Sequence, residues 1–149
     1  MAARLNIEPN PDVNTAVGHL LKAIEAGGVD SKVLELVHLR GSQINGCGPC
    51  VFGGVYSAKK HGETDERLHN VVAWRETDLY TDAERAALAL AEAATRIQDN
   101  ASGVNDDVWA EAAKHFDDKQ LYSIVLHIAM TNFFNRINHV LRNPAGATW

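Results

Sequence analysis

The spacing of apolar residues constrains this chain more than any other feature. Val13, Ala16, Val17, Leu20, Leu21 and Ile24 recur every three or four positions, the period of a helix buried along one side, and similar stripes continue along nearly the whole sequence. No run alternates apolar and polar residues for the length of a strand. The expected class is therefore all-α: a single domain over residues 1–149, with about six to eight helices.

Local chemistry marks where those helices begin and end. Asn10 can cap the first helix, and Pro11 suits a first turn in which no N–H is needed. Asp30 can cap a second helix that turns Val33, Leu34, Leu36, Val37 and Leu39 inward, with a helix end and turn expected across Gly41–Gly46. A third helix is predicted from near Cys47 to Lys60, stopped by Gly62. Thr64 opens a short helix that holds Leu68, Val71 and Val72. Thr81 and Glu84 have the spacing of a capping box ahead of an Ala- and Leu-rich run to Ile97. Asn105 can cap a helix bearing Val108, Trp109, Ala112 and Phe116. Asp117 can cap the longest one, Asp118 to about Leu141, with Leu121, Ile124, Val125, Ile128, Phe133, Ile137 and Val140 on its apolar stripe.

Composition excludes several classes. The net charge of −5 argues against binding nucleic acid by phosphate neutralisation. The most apolar stretch, Ile124 to Met130, is far shorter than the roughly 18 residues a membrane span needs. Met1 to Pro11 has one Arg and no apolar core of a secretory signal. The expectation is a cytoplasmic protein with no membrane partner.

The two cysteines, Cys47 and Cys50, carry the chemistry. At i and i+3 in a helix's first turn they share a face, with Cα atoms about 5–6 Å apart, a separation a disulfide tolerates. The partial positive charge of a helix N-terminus favours the thiolate, which is the nucleophile. The same spacing would suit two ligands of a zinc site, although no second pair completes the four, or two inert buried thiols. Cys47-Gly48-Pro49-Cys50 also reproduces the thioredoxin active-site motif, but thioredoxins place it after a strand and none is expected here. No cofactor or metal is expected.

The stretch from Glu35 through Gln43-Ile44-Asn45-Gly46-Cys47 to Cys50 resembles the alkyl hydroperoxidase D-like branch of the carboxymuconolactone decarboxylase superfamily. Ala73-Trp74-Arg75-Glu76 and Thr81 to Leu90 are similar to it too. That resemblance implies an all-α homo-oligomer, a trimer or hexamer, which reduces hydroperoxides and is regenerated by a dithiol such as a reduced lipoyl group. By motif position, Cys50 resembles the cysteine that attacks peroxide and Cys47 the one that closes the disulfide. Glu35, twelve residues before Cys47, resembles the carboxylate of a proton relay.

The chain departs from the motif at Gly54, where the family has a histidine four residues after the second cysteine. Glycine cannot take up the thiol proton. His38, three residues after Glu35 and on its helical face, is the candidate substitute, and a histidine restored at position 54 is expected to raise the rate if the base is limiting. His61 is expected to be a solvated helix-end residue. Asn132, Asn135, Arg136 and Asn138 form a polar patch that could line a pocket or a subunit contact. The expected function is a thiol-dependent peroxidase-like oxidoreductase. A thiol–disulfide reductase is the alternative that Gly54 favours, and a non-catalytic ligand-binding oligomer is a third.

Overall fold

A computed structural model describes residues 2–5 and 10–146; the N-terminal stretch inspected for a signal lies partly outside them. Among the described residues seven α-helices make the fold: α1 Pro11–Glu25, α2 Ser31–Ile44, α3 Gly48–Lys60, α4 Asp65–Asn70, α5 Asp82–Thr95, α6 Asp106–His115 and α7 Asp118–Leu141. A 3-10 segment, Val71–Glu76, follows α4, and a shorter one, Ile97–Asp99, follows α5. Among the described residues there is no strand, as the periodicity predicts.

The caps form as the sequence requires. Asn10, Asp30, Thr64, Asn105 and Asp117 each accept a backbone N–H of the following first turn. Thr81 and Glu84 close their capping box, and Gly62 stops α3 at φ +86. One boundary differs: α2 continues through Gly41 to Ile44. Gly41 is retained there because α2 runs against two neighbours at once. A Cβ at this position would stand 3.3 Å from both Thr131 Cγ2 on α7 and Thr95 Oγ1 on α5.

Helix α2 is the axis of the bundle, packed on α3, α5 and α7. Val33 and Val37 face Ala86, Ala87, Leu90 and Ala91 of α5 and Leu121, Ile124 and Ile128 of α7. Leu36 and Leu39 face Leu68, Val71, Trp74 and Leu88. The alanines of α5 thus serve close packing within the chain, the ordinary alternative to a subunit contact. Several residues expected inside are outside: Val13, Leu21, Val72, Trp109, Val125, Phe133 and Val140 are all exposed. Helix α7 is apolar on two faces, and this chain covers one of them. Among the described residues no helix is long and apolar enough to cross a membrane.

Candidate active site

The turn between α2 and α3 is built by Asn45, which ends α2, and Gly46 at φ +64. Cys47 is the N-cap of α3 and makes no side-chain cap bond, so its sulfur is available to Cys50 one turn on. The two are joined as a disulfide with Cα atoms 5.3 Å apart. Both are buried. Pro49 falls in the first turn, where its missing N–H costs nothing.

Helix α7 clamps this turn with amides. Asn45 Nδ2 donates to Asn132 Oδ1 at 3.0 Å and to Asn135 Oδ1 at 2.8 Å. Asn135 Nδ2 donates to Ser42 Oγ at 3.1 Å. Asn138, itself buried, donates Nδ2 to Cys50 Sγ at 3.2 Å. Asn143 Nδ2 donates to Asn138 Oδ1 at 2.8 Å, which fixes that oxygen as the acceptor and the Asn138 amide N–H as the group facing sulfur. The polar patch therefore holds the turn before the cysteines and, through Asn138, the disulfide itself, apart from Arg136, which bonds back to Asn132 on its own helix. Its tell-tale in the sequence is a change along one stripe of α7: the buried positions 121, 124 and 128 are Leu, Ile and Ile, whereas 131, 135 and 138 are Thr, Asn and Asn. Asn143 had no such mark.

His38 reaches the cysteine helix. Its Nε2 lies 3.3 Å from the Cys50 carbonyl oxygen and its Nδ1 lies 3.2 Å from Thr131 Oγ1. The carbonyl can only accept, so Nε2 carries the proton and Nδ1 accepts from Thr131. Burial pushes the His38 imidazole below its ordinary pKa, against the opposing pull of Glu35 and the Cys50 carbonyl. It is thus neutral near pH 7. Gly54 is what makes this possible: a Cβ there would stand 2.8 Å from His38 Cδ2 and 3.2 Å from Nε2. The expectation that a histidine at 54 would simply restore a base is corrected by this contact. The space is already filled by the imidazole of His38.

Glu35 faces α3 further along. Its Oε1 accepts from Ser57 Oγ at 2.6 Å and lies 3.3 Å from His61 Nδ1. His61 is half-exposed at the end of α3, as expected, but it is also the carboxylate's neighbour. Glu35 and His38 therefore flank α3 at two levels. Beside His38 stands His127, whose ring centroid is 6.1 Å away and whose two nitrogens are buried without a hydrogen-bond partner. Burial, then the His38 ring, push it down to about 4, with the backbone of Leu34 opposing.

A cavity of about 680 Å³ opens on the other side of the turn, lined by Gly46, Cys47, Gly48 and Asn138 together with Arg4 and the end of α7. That volume is in the range of small-molecule sites. The disulfide thus has a fixed donor on the Cys50 sulfur and a cavity lined in part by Cys47 beside it. The class so defined is an all-α protein with a Cys-x-x-Cys disulfide at a helix N-terminus.

Residues 11–93 match the model of the carboxymuconolactone decarboxylase family, and the chain belongs to that family. It is 34% identical over 126 residues to the uncharacterised protein YdfG of Bacillus subtilis, covering 85% of this chain and 84% of that one. It is 33% identical over 118 residues to the uncharacterised YnjA of Escherichia coli, spanning 78% of this chain and 63% of that longer one. Among solved structures, an Agrobacterium tumefaciens protein of unknown function, proposed as the antioxidant defence protein AhpD, superposes with a TM-score of 0.89 at 30% identity, over 99% of this chain and 100% of that one. Together these matches place the chain in the alkyl hydroperoxidase D-like branch. The debrominase Bmp8 shares the fold at 24% identity, with a TM-score of 0.78 over 93% of this chain and 73% of its own.

Proposed function

We propose that the chain is a thiol-dependent, peroxidase-like oxidoreductase that reduces hydroperoxides by cycling Cys47 and Cys50 between dithiol and disulfide. The observation that carries this reading is the Cys47–Cys50 bond at a helix N-terminus with the Asn138 amide on Cys50 Sγ. In the reduced protein, the Cys50 thiolate attacks one oxygen of the O–O bond. That bond breaks, Cys50 becomes a sulfenic acid, and the leaving alkoxide takes a proton to give an alcohol. The Cys47 thiol then attacks the Cys50 sulfur; the S–S bond forms and water leaves. The peroxide gains two electrons and the dithiol loses them.

An external dithiol such as a reduced lipoyl group reverses the oxidation. Its thiolate enters from the cavity and attacks Cys47 Sγ, and Cys50 departs as a thiolate that accepts the Asn138 N–H. The second external thiol then displaces Cys47 and closes its own disulfide. His38, neutral, donates its Nε2–H to the Cys50 carbonyl and so positions Cys50, while its acceptor nitrogen is reached only through the Thr131 hydroxyl; Glu35 acts through Ser57 and His61. We assign this cycle to the cytoplasm, where such a pair is kept reducible. The exposed stripe Val125, Phe133 and Val140 of α7 fits burial by second copies in a trimer or hexamer.

A thiol–disulfide reductase is the second reading. It is favoured by one contact: His38 Nε2 meets the carbonyl of Cys50 rather than a sulfur. Peroxide and model-disulfide turnover of Cys50→Ser and Cys47→Ser test both. We expect each to lose at least about a hundredfold in peroxide consumption. Wild-type turnover in both variants would sink the redox reading, whereas turnover of disulfides alone by the wild type would select the reductase.

A further inference from the structure

The cavity beside Cys47 has a charge opposite to that of the molecule around it. The chain carries 19 acidic and 14 basic residues, yet among the described residues the cavity lining holds Arg4, Arg142 and His139 and no carboxylate. Arg4 is tied down over the end of α7: its backbone N–H donates to Leu141 O at 2.8 Å and its Nη1 to Val140 O at 3.0 Å. Those bonds satisfy the carbonyls that would otherwise present negative charge there, and they hold the guanidinium in place. Arg142 caps α7 in the left-handed conformation, φ 56. Among the described residues neither arginine has an acidic partner within ion-pair distance, in contrast to Arg40, Arg67, Arg75 and Arg96, each of which has one. The first turn of α3, entering at Gly48, adds its partial positive charge.

We infer that this cavity binds a thiol or disulfide that carries a carboxylate, the anion pairing with Arg4 and Arg142 while the sulfur reaches Cys47. This deepens the redox reading above and rests on it. Guanidinium forks match a carboxylate better than any neutral group, and a partly enclosed site screens them less than open solvent does. The exchange is the one already described: the external thiolate bonds to Cys47 Sγ, the Cys47–Cys50 bond breaks, and the two electrons come from the incoming dithiol.

Dihydrolipoate and dihydrolipoamide make the test, because they share one dithiol and differ by one charge far from the sulfurs. Reduction of the Cys47–Cys50 disulfide in the full chain is followed by alkylation and mass analysis. The net charge of −5 alone would make the acid the slower reagent. We expect the acid to be about five- to tenfold faster at low salt, and the preference to shrink below about twofold at 0.5 M salt. Arg4→Gln, and Arg142→Asn, which keeps a residue tolerant of the left-handed cap, should each slow the acid about threefold and leave the amide unchanged. Lys22→Gln, on α1, removes the same charge elsewhere and should change neither. Equal rates for acid and amide, or equal losses for both in the arginine variants, would overturn the inference and leave the redox reading standing. Failure of both dithiols to open the disulfide would overturn the two together.

Discussion

Helix α2 carries buried polar groups on two sides, and the sides are chemically unlike. Toward α5 they are charged. Arg40 Nε meets Glu92 Oε1 at 2.6 Å, and Trp74 Nε1 donates to the same oxygen at 3.0 Å. Arg75 bonds the other carboxylate oxygen, and Arg96 approaches it at 3.6 Å. Burial pushes the Glu92 carboxyl up, but the bonds from Arg75, Arg40 and Trp74 outweigh it and hold the group below the usual carboxylate range. Toward α7 everything is neutral: Ser42, Asn45, Thr131, Asn135, Asn138 and the imidazole of His38. In the proposed cycle the sulfur pair thus forms its thiolate against oriented dipoles on the α7 side, while the fixed charges of Arg4 and Arg142 lie across the cavity that Cys47 lines. Around Glu92 each buried charge has its opposite, and in the proposed cycle the charge that forms and disappears is left to Cys50.

That contrast can be broken most severely from the charged side. Glu92→Ala leaves Arg40 buried without a counter-ion, which costs about 3–5 kcal/mol. Urea or thermal unfolding should show it, while the thiol reactivity of the folded fraction stays near wild type. A large change in Cys50 reactivity would mean the two networks are not separate.

The neutral side is sharpened by pH. His127 is pushed down to about 4 from 6.5, so the unfolded chain binds a proton in that interval that the folded chain refuses. Its contribution to stability is present above about pH 6.5 and is lost as pH falls toward 4. The size is about 3 kcal/mol at most. His127→Leu should flatten the fall in unfolding free energy between pH 7 and 4.5 by about that amount, with the lowered imidazole of His38 leaving a residual slope of the same sign. An unchanged slope would place the titration elsewhere.

Asn138→Leu gives the smallest effect on stability and the most local one on chemistry. Removing the donor from Cys50 should lower the rate of thiolate attack about tenfold at neutral pH and move the rate profile to higher pH, since a hydrogen bond to a charged acceptor is lost. Asn143→Ala, which only frees the amide to turn, should do the same more weakly. An unmoved pH profile in both would remove Asn138 from the mechanism.

Much of the architecture was legible because it rests on local rules. The caps at Asn10, Asp30, Thr81, Asn105 and Asp117 involve atoms three residues apart or fewer, and the sequence shows both partners. The cysteine turn was legible for the same reason. The inward face of α7 was not. Val125, Phe133 and Val140 fit one helical stripe and Leu121, Ile124 and Ile128 fit another, and periodicity alone could not say which the chain itself would bury. The candidate site divides similarly. Cys47 and Cys50 announced themselves by spacing, and Glu35 and then His38 through the family resemblance, whereas Arg4, Asn138 and Asn143 are far from the cysteines in the chain.

Sequence by itself therefore determined most of the helices, their ends and the closeness of two sulfurs one turn apart, because each depends on neighbours within about four residues. Only the packed bundle decided that His38 lies over Gly54, that an amide of α7 meets Cys50 and that two arginines share a cavity with Cys47. Those contacts depend on where α2, α3 and α7 cross. The crossings are fixed by how many small and large side chains fit between them, a property of three segments together and of none alone.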